Sequence, residues 1–208
     1  MEEVFVIGAD HHNTLGVIRA LGYKNIKPNV IIVTSKKRPY VGYSKYIQDK
    51  YVVSNNDMAI DLLKEIGSKY HHPIIIACSD GISSVLDKNR NILIKHFSLP
   101  GTLNQGCITK MMDKERMREL ASEIGFCTPL SWVVKKGDCM DMIITPCITK
   151  PLLSKEGQKS DICICKNREE LESAINSGSC EQYQIQVFVE KDFEYQLIGL
   201  SIREGEEV

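Results

Sequence analysis

The sequence predicts an α/β protein in two parts: a parallel sheet clad in helices over residues 1–105, then an α+β domain over residues 106–208. Three observations predict it. Short runs that are apolar throughout alternate with stretches whose apolar residues recur every three or four positions, the pattern of doubly buried parallel strands separated by helices. A change to loop texture, LPGTLNQGC over Leu99 to Cys107, then ends that alternation. Beyond it the order is helix, strand, a Lys-Pro exit with a polar loop, strand, helix and two closing strands.

In the first part, Val4 to Gly8 is a buried strand, and ADHHN leads into a helix with Leu15, Ile18 and Leu21 on one face and Gly22 as its stop. Asn29 to Thr34 and Tyr51 to Val53 are the next strands, with the polar SKKRPYVGYSKY between them. Asp57 is placed to cap a helix carrying Ile60, Leu63 and Ile66. Pro73 to Cys78 is another apolar strand, and a helix over Gly81 to Lys95 comes after it. Such sheets bind ligands outside the carboxyl ends of their strands. Asp10, Asn13 and Asp80 lie there and are candidates for holding a polar substrate; capping helices and closing turns is the other role open to them. The first loop has one glycine followed by bulky polar residues rather than G-x-G-x-x-G, which argues against the close backbone approach a dinucleotide needs.

In the second part, Asp113 is the expected cap of a helix with the apolar stripe Met117, Leu120, Ala121 and Ile124, stopped by Gly125 and Thr128-Pro129. Ser131 to Val134 is strand-like. The stretch ITPCITKPLLSKEGQKS, Ile143 to Lys159, organises this second part. A β-rich run with Ile143, Ile144 and Ile148 ends in Lys150-Pro151, a polar loop holds one glycine, and the β-rich Ile162 to Cys165 comes next. A lysine at the end of a strand is a point charge facing whatever the loop covers, and the N–H groups of a small polar loop can serve phosphate oxygens in the same way. A helix over Arg168 to Asn176 and strands over Tyr183 to Val189 and Tyr195 to Ile202, with EKDFE between them, close the chain.

Composition bounds the function. With 208 residues, 43% hydrophobic and 25% charged, the chain is ordinary globular material, and a net charge of −1 leaves no basic footprint for nucleic acid. No apolar run reaches the roughly 18 residues that crossing a bilayer requires. The acidic N-terminus enters a strand at once, unlike a secretory signal, so a cytoplasmic protein with reduced cysteines is expected. Several of the eight cysteines (Cys78, Cys147, Cys163, Cys165) sit in apolar strand-like runs, where they act as small hydrophobes. No C-x-x-C occurs, and His11-His12 and His71-His72 lack metal-ligand spacing with the cysteines, so no metal site is expected within the chain.

Taken in order, LGVIRALG, IIIACSDG, MMDKERMRELASEIGFCTP, ITKPLLSKEG and IQVFVEKDFEYQLIGLSI resemble the ATP-grasp superfamily over essentially the whole chain. The likeness is to its carboxylate–amine ligase branch, including carbamoyl-phosphate-synthase-like and D-alanine–D-alanine ligase-like enzymes. The resemblance implies a pre-ATP-grasp, Rossmann-like domain followed by the front part of an ATP-grasp domain. It implies that Lys114 and Lys150 contact the nucleotide phosphates and that Ser154 to Lys159 is the phosphate-covering loop, although with fewer glycines than the family usually has. It further implies that Gln186, Val187, Phe188 and Val189 form the hinge strand along the adenine edge, with Gln186 where the family often has Glu, and that Glu194 holds the ribose hydroxyls. Residue chemistry agrees: two lysines neutralise a polyphosphate, Ile148, Val187 and Val189 offer apolar surface to a flat base, and a carboxylate accepts from hydroxyls.

The implied reaction is ATP-driven ligation, in which a small-molecule carboxylate is activated as an acylphosphate and an amine displaces the phosphate. ATP and Mg2+ are the implied cofactors, with the magnesium ligands expected downstream of this chain and ligation not expected of these 208 residues alone. A homodimer is a family tendency. Two alternatives stand beside the ligase: a non-catalytic nucleotide-sensing or interaction module of the same fold, and a Rossmann-type oxidoreductase domain, which the Gly8 loop disfavours. A sheet ending on REGEEV leaves an apolar edge, from which a longer protein or externally supplied partner strands are expected.

Overall fold

The computed structural model describes residues 3–101, 104–153 and 158–195. The chain divides into two compact units, Met1–Lys110 and Met111–Val208. Among the described residues no helix is long and apolar enough to cross a membrane.

The first unit runs β1 (Val4–Ala9), α1 (His12–Tyr23), β2 (Asn29–Val33), β3 (Lys50–Val53), α2 (Asn56–Ile66), β4 (Ile74–Ala77), α3 (Asp80–Lys88) and α4 (Arg90–Leu93). Its four strands are parallel in the order β3-β2-β1-β4. Strand β1 is buried on both faces because its neighbours in sequence alternate sides. Phe5 and Ile7 pack with Ile60, Leu63, Leu86 and Leu93. Val4 and Val6 pack with Ile18, Val30, Ile32 and Val41 on the other side. That double burial is the reason the run is apolar without interruption.

Asn55, not Asp57, caps α2, its side chain accepting from the Met58 N–H at 2.9 Å, while Asp57 sits in the first turn. An amide at the cap with a carboxylate behind it satisfies an open N–H and complements the helix dipole together. The helix expected over Gly81 to Lys95 breaks at Asn89 (φ −105°, ψ 11°) into α3 and α4. Gly22 does not stop α1, which continues to Tyr23; it is buried inside the helix, and a Cβ there would lie 2.2 Å from Cγ of Tyr46. The glycine is thus required by a close approach and not by a turn.

Helix α5 (Cys107–Met111) lies at the division, and the second unit continues with α6 (Lys114–Glu123), β5 (Ser131–Lys135), β6 (Cys147–Pro151), β7 (Cys163–Cys165), α7 (Arg168–Ser177) and β8 (Gln182–Val187). The strands form an antiparallel sheet in the order β5-β8-β6-β7. Leu171 and Ile175 of α7 pack on one face against Val134, Cys147, Cys165, Tyr183 and Ile185. All eight cysteines are free thiols; Cys147 and Cys165 are buried, Cys78 and Cys163 partly so. Ile143 joins this core from outside any strand, so the β-rich run begins at Cys147 and not at Ile143. The stripe expected to bury α6 is not buried: Met117 and Ile124 are exposed, and Gly125 ends the helix at φ +90° as a left-handed cap. Strand β8 stops at Val187, two residues short of Val189. Most of the strand expected over Tyr195 to Ile202 lies outside the described residues, as do 154–157 of the phosphate-covering loop.

One buried carboxylate ties the sheet to its surroundings. Asp161 accepts from the N–H of Gln158, the N–H and hydroxyl of Ser179, each at 2.7 Å, and the hydroxyl of Tyr183 at 3.3 Å. Its own carbonyl accepts from the Thr149 hydroxyl at 3.0 Å. The hydrogen bonds from Gln158 and Ser179 hold the carboxyl well below the usual carboxylate range, outweighing its burial.

This packing has two measurable outcomes. Gly22→Ala, ordinarily favourable within a helix, is expected here to destabilise the protein by about 1–3 kcal/mol through overpacking against the root of the Tyr46 side chain; urea denaturation measures it, and a gain in stability refutes it. The Asp161 contribution is complete above the unfolded carboxyl pKa of about 3.9 and is lost as pH falls toward the depressed folded value. Asp161→Asn is expected to lower stability at neutral pH and to flatten its decline in acid; identical acid slopes for both proteins count against this role.

Candidate functional site

The candidate site is the face of the second sheet turned away from α7. Side chains alternate along a strand and register partners share a face. The pairings Ile148↔Gln186, Lys150↔Gln184 and Ser131↔Gln186 therefore set Ser131, Ile148, Lys150, Gln184 and Gln186 on one side. Cys147, Tyr183 and Ile185 fall on the other, in the core with α7.

The start of α6 is fastened to the same side. Asp113 caps it, accepting from the N–H groups of Glu115 (2.8 Å) and Arg116 (3.1 Å). The cap also bridges to Leu153, just beyond β6, and the Lys114 N–H reaches the Leu152 carbonyl at 3.4 Å. Glu115 accepts from Gln184 Nε2 at 3.0 Å and from the Ser131 hydroxyl at 3.3 Å, while Arg118 pairs with its other oxygen at 2.6 Å. Burial alone would raise the Glu115 carboxyl, but its bonds with Arg118, Gln184 and Ser131 outweigh that and hold it low. Nothing in the sequence near Glu115 signals this work, because an acidic residue in a first turn reads as dipole compensation and its partner Gln184 is 69 residues away.

Both lysines singled out in the sequence are held at β6. Lys114 Nζ donates to the carbonyl of Pro151 at 2.7 Å, the residue next to Lys150. Lys150 Nζ donates to Gln186 Oε1 at 2.8 Å. Burial pushes the Lys150 ammonium pKa down, and the nearby charge of Lys191 adds to the shift. Lys150 is thus a half-buried cation bonded to a neutral amide with a second cation close by, an arrangement that favours an incoming anion. Lys191 was not evident as a participant from sequence, since a lysine in a charged turn reads as solvated surface.

The hinge residues separate. The Val187 N–H donates to Leu130 and the Phe188 N–H to Pro146, each at 2.9 Å. Among the described residues no carbonyl takes the Val189 N–H. Val187 pairs with Cys147, so its side chain lies on the face opposite Ile148. The apolar clamp expected of Ile148, Val187 and Val189 therefore keeps Ile148 and the exposed Val189 but loses the side chain of Val187. Glu194 stands in the exposed turn after β8, ion-paired with Lys191, which lowers its carboxyl pKa.

In the first unit, the strand order places the loops after β1 and β4 side by side where the winding reverses, the usual position for a ligand crevice. Gly8 makes this junction tight: a Cβ there would lie 2.3 Å from Thr14 Oγ1 and 2.7 Å from Cys78 Cβ. Asn13 and Asp80 are exposed in the first turns of α1 and α3, whose caps are His11 and Ser79. Asp10 is occupied elsewhere, accepting from the Val41 N–H at 3.0 Å and from Lys36 Nζ at 2.9 Å. Burial opposes its ionisation, and these two bonds overcome it and lower its pKa. Asp10 thus anchors the turn at Tyr40–Tyr43. Among the described residues no group of three or more His, Cys, Asp or Glu side chains could hold a metal ion.

No family model matches the sequence, and no curated protein matches it. Solved structures match the fold. An L-amino acid ligase from Bacillus licheniformis superposes with a TM-score of 0.68 at 14% identity, over 90% of this chain and 44% of that one. An N5-carboxyaminoimidazole ribonucleotide synthetase solved as an ADP complex gives 0.65 at 12% identity, over 90% and 47%. The Thermotoga maritima N5-carboxyaminoimidazole ribonucleotide synthetase gives 0.59 at 19% identity, over 92% and 47%. The chain thus spans less than half the length of the structures it matches. Its fold is that of the first part of these ligase and synthetase structures, a parallel sheet followed by an antiparallel one.

Proposed function

We propose that this chain binds ATP on the open face of its second sheet, as the nucleotide-holding portion of an ATP-dependent carboxylate–amine ligase. The observation that carries this reading is Lys150, half-buried against an uncharged amide on that face, with Lys114 bonded to the carbonyl of the next residue, Pro151. A polyphosphate supplies the anionic oxygens such a cation lacks, and an ammonium has three protons to distribute among them. In this reading the Val189 N–H and the amide of Gln186 would meet the edge of a purine, and the Glu194 carboxylate would take ribose hydroxyls. A related fold solved with ADP supports a nucleotide as the ligand.

In the ligation itself, an oxygen of the substrate carboxylate bonds to the γ-phosphorus as the bond to the ADP oxygen breaks, giving an acylphosphate and ADP. The amine nitrogen then bonds to the acyl carbon, inorganic phosphate leaves with the C–O bond electrons, and the amine proton passes to base. Positioning and charge neutralisation dominate phosphoryl transfer. Lys114 and Lys150 supply part of both here. Asn13 and Asp80, at the switch point of the first sheet, are the proposed contacts for the carboxylate or amine substrate.

Lys150→Ala is expected to weaken ATP binding by about 10–100-fold, the loss of a charge-assisted hydrogen bond, with the circular dichroism spectrum unchanged. Isothermal titration calorimetry measures this; an affinity equal to that of the parent rejects the site. Because the binding form of Lys150 is the ammonium and its pKa lies below the ordinary lysine value, ATP affinity is expected to begin falling at lower alkaline pH than an unperturbed lysine would give. The same titration repeated across alkaline pH tests this.

A further inference from the structure

We propose that Gln186 makes the site read its purine partly by donation, so that it takes a 6-oxopurine nucleoside triphosphate, that of hypoxanthine, alongside ATP. The inference rests on the proposed nucleotide site and deepens it. Lysine ammonium has only donors, so the Gln186 atom 2.8 Å from Lys150 Nζ is the amide oxygen and the orientation of the amide is not arbitrary. Its Nε2, with two N–H donors, has no partner among the described residues. Gln186 shares its face with Ile148, and it precedes the segment whose Val189 N–H is likewise untaken among those residues.

The consequence is chemical. A carboxylate at this position could only accept, and would select a base whose sixth position donates, as the adenine amino group does. The amide offers both polarities: Oε1 retains a second lone pair for the adenine amino group, and Nε2–H can donate to the carbonyl oxygen of hypoxanthine. Lys150 need not leave Gln186 when nucleotide arrives, since its remaining two protons are available to phosphate oxygens. Hypoxanthine also carries a proton on N1, and the carbonyls of Phe188 and Val189, which accept nothing among the described residues, are open to it.

The test is calorimetric titration of the whole chain with ATP and with ITP, repeated on Gln186→Glu. The parent is expected to bind ITP within about tenfold of ATP, and Gln186→Glu to raise the ITP/ATP ratio of Kd values by about tenfold or more, the cost of one opposed hydrogen-bonding pair. Should Gln186→Glu fail to fold, Gln186→Met keeps the length and apolar stem while removing donor and acceptor together, so both Kd values are expected to rise, and an ITP affinity equal to that of the parent overturns the inference. A parent that binds ATP but prefers it to ITP by more than about tenfold, or a ratio unchanged in folded Gln186→Glu, overturns the inference while leaving the ATP site standing. A parent that binds neither nucleotide overturns the proposed function and this inference together.

Discussion

Strand register is the constraint on which the second unit depends. Side chains alternate along β6 and β8, so one pairing scheme sends Cys147, Tyr183 and Ile185 into the core and Lys150, Gln184 and Gln186 to the open face. A slip of one residue would drive the Lys150 ammonium under α7 and expose Tyr183, a fully buried ring. Such an exchange strands a charge in an apolar core and returns aromatic surface to water, and both terms oppose it. The chemistry of the open face is therefore specified by the hydrophobic core behind it.

Two polar devices hold that register from opposite sides. On the open face, Glu115 joins α6 to β5 and β8 through Ser131 and Gln184, with Arg118 balancing its charge. Beside the core, Asp161 gathers donors from Gln158, Ser179 and Tyr183. Each carboxylate is sheltered and fully engaged, the condition under which a buried charge gives orientation without an unmatched desolvation cost. Asp113 bridges to Leu153, and the Gln158 N–H donates to Asp161.

The first unit uses its polar groups differently. Its sheet is apolar on both faces, leaving the carboxyl ends of the strands as the place where polar side chains collect. Of the three candidates there, Asp10 is consumed by Val41 and Lys36, while Asn13 and Asp80 stay open in first helical turns. A carboxylate directly following a strand is ambiguous in sequence, since binding a ligand and closing a turn call for the same acceptor.

The layering is legible in the chain alone. Uninterrupted apolar runs mark the parallel strands, helical spacing marks Ile60, Leu63, Leu171 and Ile175 as core, and Asp113 announces the helix that brings Lys114 to its place. These are local matters of periodicity and capping, and neighbours in the chain decide them. Folding in three dimensions decides the rest: which glycine serves packing, as Gly22 does against Tyr46, which face Val187 turns to, and that Lys150 meets Gln186 across 36 residues. Contacts of that kind depend on register and on close approach between elements distant in sequence, and no window of the chain contains both partners.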